Sequence, residues 1–305
     1  MLVKSRFLRA LAAITLLFQA PPAFAQALSE RDSARVYVFG NSLIHHLTDT
    51  DQTTVPYWLA AMAQQDGRQL ALDGRWGFPR SFATELPPIP NWSFRTVQPA
   101  WNPEQPFSSA KFDTVILNPE NFIQYDRADR PYLGDNPDRA TPLGATLTVL
   151  DWVGQNTEGA RFMIYEGWAD LNPFTDSFPP SDRQLQRYYR HAQAGYAEWY
   201  DDYVARLKAL RRETQIEFIP AGRVMARLLS EKPLSDIPPE ALYSDTSPHG
   251  TETIYLLAAM ITYVSLYGAR PPAGLEMPDT IDPRFAAAYE QTADRIWDIM
   301  QAEAQ

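Results

Sequence analysis

Short, wholly apolar runs and longer amphipathic stripes alternate along this chain. Val36-Tyr-Val-Phe39 is β-branched or aromatic throughout, the composition of a buried strand, and Gly40 ends it. Runs of similar kind recur at Gln69-Leu-Ala-Leu-Asp73, Phe112-Asp-Thr-Val-Ile-Leu117, Arg161-Phe-Met-Ile-Tyr165 and Gln215-Ile-Glu-Phe-Ile219. Between them lie helical patterns. Residues 53–65 put Val55, Trp58, Leu59 and Met62 on one face, with Pro56 near the start, where proline is tolerated. Thr141-Pro142 reads as a cap followed by a first-turn proline, and Leu143, Leu147, Leu150 and Val153 form the stripe behind it. Residues 181–212 read as one long helix, because Leu185, Tyr189, Ala192, Tyr196, Trp199, Tyr203, Leu207 and Leu210 recur at steps of three or four. That aromatic stripe is core, and His191 within it is a surface or capping residue. Residues 221–229, 251–267 and 283–305 are three further helices.

Five strands separated by helices or long connections predict a parallel sheet with right-handed crossovers in a single α/β domain over residues 26–305. Residues 85–106 are rich in proline and carry Trp92 and Trp101. They read as an irregular connection, a surface excursion before a lid.

Composition narrows the class. A hydrophobic fraction of 45% over 305 residues is enough for a sizeable core. The net charge of −10 argues against nucleic acid or an anionic membrane surface as partner. The absence of cysteine removes disulfides, thiolate metal sites and cysteine nucleophiles together. Residues 1–25 have the form of an export signal: Lys4, Arg6 and Arg9, then a short apolar run, then Ala23-Phe24-Ala25. Cleavage after Ala25 would leave a periplasmic or secreted protein. No later stretch approaches the ~18 apolar residues of a membrane span.

Gly40-Asn-Ser42 follows the first strand, and ligands of open α/β sheets bind just outside such strand ends. Three further blocks sit at strand ends or in a late loop: Gly74-Arg-Trp-Gly77, Asn118-Pro-Glu-Asn121 and Asp245-Thr-Ser-Pro-His249. In this order they resemble the SGNH (GDSL-type) hydrolase superfamily, over about residues 35–268. Asn41 stands where that family usually has aspartate. The resemblance implies a three-layer, flavodoxin-like fold with a five-stranded parallel sheet flanked by helices, and ester hydrolysis through an acyl-serine.

The chemistry such a site needs can be stated residue by residue. A serine hydroxyl is a poor nucleophile until a base takes its proton, which would be the work of His249. Asp245 would hold the imidazole in its working tautomer. The oxyanion needs fixed donors: the N–H of Ser42, the N–H of Gly77 and the amide of Asn121, with Asn118 as the alternative. Two departures from the family pattern stand out. The third block lacks the family's glycine and aspartate. Asp245 and His249 are four residues apart rather than three, with Pro248 between them. Either Asp245 reaches the imidazole, or a backbone carbonyl orients it.

Other residues call for two-sided readings. His46 would line the substrate pocket, and His45 or His46 is a fallback base. A metal held by this pair is disfavoured, because adjacent histidines point apart. Glu120 and Glu166 would be a glycosidase pair only at a suitable separation. Trp76 and Trp168 are placed to offer aromatic faces to substrate. No cofactor or metal is called for. The expected substrate is a small acyl ester, an acetylated carbohydrate among them. The alternatives are a lipid or lysophospholipid ester, or a degenerate hydrolase fold that binds glycans or an envelope partner.

Overall fold

The computed structural model describes residues 28–119 and 127–303, so residues 1–25, Glu120 and Asn121 lie outside it. The sheet has five parallel strands: β1 (Ser33–Gly40), β2 (Gln69–Trp76), β3 (Thr114–Leu117), β4 (Arg161–Tyr165) and β5 (Ile216–Ile219). Their order is β2-β1-β3-β4-β5, the flavodoxin-like arrangement. Parallel neighbours cannot be joined by a tight turn, so helices cross the faces. These are α1 (Val55–Gln65), α2 (Pro79–Thr84), α3 (Pro142–Asn156), α4 (Asp182–Ala192), α5 (Gly195–Leu210), α6 (Ala221–Ser230), α7 (Glu252–Tyr267) and α8 (Pro283–Glu303). Helix α7 packs on α1, α6 and α8, while α3 packs on α2 and α5.

Burial explains the sequence patterns. Strands β3, β4 and β5 are buried at every position, so they read as continuous rather than alternating runs. Helix α7 is buried at every residue from Thr253 to Tyr267, which is why it lacks a polar face. Two charges enter the sheet: Arg161 at the start of β4 meets Glu217 at 2.9 Å and donates to the Leu266 carbonyl at 2.6 Å. Both lie at the end of the sheet away from the Ser42 turn. Among the described residues, no helix is long and apolar enough to cross a membrane.

The single helix expected over residues 181–212 is two. The chain breaks at Gln193 and Ala194, and α5 restarts at Gly195. Leu185, Tyr189, Ala192, Tyr196, Tyr203 and Leu207 are buried on both sides of the break, so the apolar period runs through it unchanged. His191 is not a plain surface residue: its ring lies against Phe174 and Tyr196, with centroids 5.1 and 6.0 Å away.

The proline-rich segment is a cover for the outer edge of β2. Leu72 N–H donates to Gln98 O at 2.8 Å, and Asn91 N–H to Gly74 O at 3.1 Å. The Asp73 carboxylate accepts from the N–H groups of Ala100 and Trp101 at 2.7 and 2.6 Å. An exposed edge would otherwise offer unpaired groups to another chain. Trp92 is driven inward over the sheet, and a Cβ at Gly74 would lie 2.3 Å from its ring. Gly74→Ala should therefore destabilise the fold by about 1–3 kcal/mol, as overpacking does, read as a lower urea midpoint at unchanged slope.

Candidate active site

The turn after β1 is organised by Asn41, which is buried. Its carbonyl accepts from the N–H groups of Ile44 and His45 at 3.0 and 2.9 Å, and its side-chain oxygen from Leu43 N–H at 3.0 Å. A neutral amide oxygen thus fills an acceptor position without burying a charge. Those bonds occupy the amides on the far side of Ser42. The N–H and Oγ of Ser42 itself make no hydrogen bond among the described residues. The hydroxyl of Tyr255, in the first turn of α7, donates to the Ser42 carbonyl and ties this turn to the segment that carries His249.

The Asp245–His249 loop curls tightly, so a four-residue spacing closes. One Asp245 oxygen, Oδ1, accepts from the backbone N–H groups of Ser247 and His249 at 2.8 and 3.0 Å. The other, Oδ2, lies 2.6 Å from His249 Nδ1. Burial pushes the Asp245 carboxyl up, but the bonds from the His249 ring, His249 N–H and Ser247 N–H outweigh it and hold it below the ordinary carboxylate range. An ionised Oδ2 takes a proton donor, which assigns the proton to Nδ1 and leaves Nε2 as the acceptor. From outside, the N–H groups of Leu171 and Asn172 donate to Thr246 O at 3.0 and 3.2 Å, and the indole of Trp168 donates to Pro248 O at 2.8 Å. His249 Nε2 and Ser42 Oγ form no hydrogen bond with each other. The ring of His46, four residues beyond Ser42, lies tilted against that of His249, with centroids 4.1 Å apart and planes at 31°.

Several expected roles change. Trp168 does not face substrate: it is 1% exposed and anchors the histidine loop. Gly77 N–H donates to Gly40 O at 2.8 Å, so it is not a free oxyanion donor here. Its lack of a side chain answers to packing, since a Cβ would lie 2.8 Å from the Phe82 ring. Asn118 is 0% exposed at the end of β3; its amide nitrogen reaches Tyr165 O at 3.4 Å, while Oδ1 has no partner among the described residues. Asn121 lies outside the described residues. Trp76 is half-buried, edge-on to Phe78 at 5.5 Å, with its indole nitrogen unpartnered among the described residues. Glu166 is buried against Arg223 rather than paired with a second carboxylate. No group of three or more metal-ligating side chains occurs among the described residues.

His45 points away from His46, wedged between Trp92 and Phe94 with ring centroids 5.0 Å from each. Among the described residues its ring makes no hydrogen bond to Ser42, which the fallback-base reading would need. Burial is the largest influence on it and lowers its pKa from 6.5 to about 4. Between those values the unfolded chain binds a proton that the folded chain refuses, so stability falls as pH drops from about 6.5 to about 4. His45→Phe, which keeps the wedge, should flatten that stretch of a stability–pH curve by up to about 3 kcal/mol.

The sequence reading missed Tyr255 as a clamp on Ser42, because an apolar helix hides a functional hydroxyl among core residues. It also missed the anchoring by Trp168, whose indole could be assigned only once Pro248 was placed beside it.

No protein-family model matches the chain, and no curated protein matches it. Among solved structures it is similar to a DUF4886 family protein from Bacteroides uniformis, at 12% identity and a TM-score of 0.55, over 90% of this chain and 97% of that one. It also aligns with a family 2 carbohydrate esterase from Myceliophthora fergusii that carries a carbohydrate-binding domain. That match has 17% identity and a TM-score of 0.36, over 76% and 65% of the two chains. An acetyl xylan esterase from Butyrivibrio proteoclasticus aligns at 11% identity and a TM-score of 0.28, over 62% and 55%. What the first of these likenesses shows is the fold: a parallel five-stranded α/β sheet flanked by helices.

Proposed function

We propose that the chain is an exported serine esterase, with Ser42 as nucleophile, His249 as base and Asp245 as the group that orients the base. The observation that carries this reading is the 2.6 Å contact between Asp245 Oδ2 and His249 Nδ1, in a loop tied through α7 to the Ser42 turn. In the reaction Ser42 Oγ attacks the ester carbonyl carbon while its proton passes to His249 Nε2. The developing oxyanion is received by the Ser42 N–H, with an asparagine amide at the end of β3 as the second donor. Collapse breaks the ester C–O bond, and His249 returns the proton to the leaving alcohol. Water then repeats the sequence on the acyl-serine. Proton transfer requires Ser42 Oγ and His249 Nε2 to come within hydrogen-bond reach, about 2.6–3.2 Å, as substrate binds.

For substrate we infer a small acyl ester, with acetylated carbohydrate favoured by the half-buried indole of Trp76 beside Phe78, an aromatic face that suits a sugar ring. A fluorophosphonate probe should label the wild-type protein and not Ser42→Ala. Acetate release from acetylated sugars should exceed cleavage of long-chain esters; the reverse preference would move the substrate to lipid. Export predicts a mature N-terminus at Gln26, read by intact mass after expression in a secreting host.

A second reading, a hydrolase fold retained for binding, is favoured by one observation: the Gly77 N–H is already taken by Gly40 O. Folded wild-type protein that refuses the probe would support it.

A further inference from the structure

His46 stands outside the Ser–His–Asp constellation, yet its ring lies closer to the His249 ring than any other aromatic group described. Its centroid is 4.1 Å away and its plane is tilted by 31°, so the two imidazoles meet ring against ring. Such a contact leaves the edges free, and it is the edges of His249 that carry Nδ1 and Nε2. We propose that His46 is a positioning residue: its ring is a flat wall that keeps the His249 imidazole in the orientation in which Nδ1 meets Asp245 and Nε2 turns toward Ser42. This rests on the reading of Ser42 and His249 as nucleophile and base.

Three observations carry it. First, the wall is built on a fixed backbone. His46 N–H donates to Thr53 O at 3.2 Å, Thr53 Oγ1 donates back to His46 O at 3.2 Å, and His45 and Thr54 form an antiparallel bridge. Secondly, among the described residues no hydrogen bond joins His46 to His249, so the contact between them is made by the rings and not by a nitrogen. Thirdly, the surroundings of the wall disfavour a charge on it. Burial, and after it the neighbouring His249, lower the His46 pKa against the opposing pull of Asp245. A neutral ring places no second cation beside the imidazolium that forms during acyl transfer. Asp245 fixes one edge of His249 by a single bond about which the ring can tilt; a flat neighbour on its face removes that tilt.

The test compares wild type, His46→Ala and His46→Phe in two readouts: kcat and KM on an activated acetate ester, and the downfield proton resonance of the His249 Nδ1–H bound to Asp245. His46→Ala should lower kcat by about 10- to 100-fold, the size of loss that small misplacements of a catalytic group produce, while KM stays nearly constant. Its downfield resonance should broaden or vanish. His46→Phe, which keeps a flat ring and discards both nitrogens, should recover most of the rate and the resonance. The proposal is overturned if His46→Ala keeps both kcat and the resonance. It is also overturned if His46→Phe is as slow as His46→Ala with the resonance intact, since that gives the nitrogens the role. If wild type hydrolyses no ester but the resonance is lost in His46→Ala and kept in His46→Phe, the wall stands and the esterase reading falls.

Discussion

Asp245→Asn should reduce kcat for ester hydrolysis on the order of 10³–10⁴-fold while leaving the fold intact. The size follows from how the loop uses the two carboxylate oxygens. Oδ1 is committed to the backbone N–H groups of Ser247 and His249, at 2.8 and 3.0 Å. An asparagine in this place must keep its one oxygen there, because turning the amide over would set its NH₂ against two N–H donors. Its nitrogen is then fixed opposite His249 Nδ1, the atom now 2.6 Å from Oδ2. A donor facing Nδ1 makes that nitrogen the acceptor and moves the imidazole proton to Nε2. The base is left in the tautomer that cannot accept from Ser42, and no carboxylate remains to stabilise an imidazolium. Steady-state kinetics with an activated ester, alongside matching thermal transitions, would check this. A loss smaller than tenfold would mean that Asp245 does not set the tautomer.

The same loop shows what the sequence could reveal and what it could not. Ser42, Asp245 and His249 could be put forward from the sequence because an acyl-serine reaction needs those residue types, and in that order because of the family resemblance. Whether Asp245 could reach across four residues past Pro248 was not readable. That is decided by Thr246 O receiving two N–H groups from Leu171 and Asn172, and by the Trp168 indole holding Pro248 O, contacts some eighty residues apart in the chain. The strands were legible because complete burial on both faces leaves an unbroken apolar run, as in β3 and β4. The break between α4 and α5 was not, because buried side chains keep their period through it. Gly77 illustrates a further limit: a glycine at a strand end looks like an available amide, and only the partner strand reveals that Gly40 O has taken it. The proline-rich segment was legible as irregular, but its work as the cover of β2 depends on Trp92 finding the space left by Gly74.

Glu166→Ala should destabilise the protein by about 3–5 kcal/mol, a third or more of the stability of a typical domain. Glu166 directly follows β4 and is 0% exposed. Its carboxylate accepts from Arg223 Nε at 2.9 Å and from the Arg223 backbone N–H at 3.0 Å, at the first turn of α6. Burial pushes the Glu166 carboxyl up, and the Arg223 guanidinium opposes it. Truncation to alanine removes the charge that justifies a guanidinium in this place, leaving Arg223 with Asp201 at 2.7 Å and the Ala197 carbonyl at 2.9 Å, both on α5. The penalty therefore comes from a guanidinium that has lost its fully buried partner and keeps only the partly exposed Asp201. Glu166→Gln keeps an oxygen for Arg223 and should lose less. The combination Glu166→Ala with Arg223→Met should lose less than the two single changes added together, because it removes the buried carboxylate and its guanidinium together. Urea or guanidinium titrations of the four proteins would decide it. Strictly additive losses would show that the buried pair is not a coupled unit and that β4 and α6 are joined by packing alone, through the close approach of Gly222 to the Gly167 carbonyl.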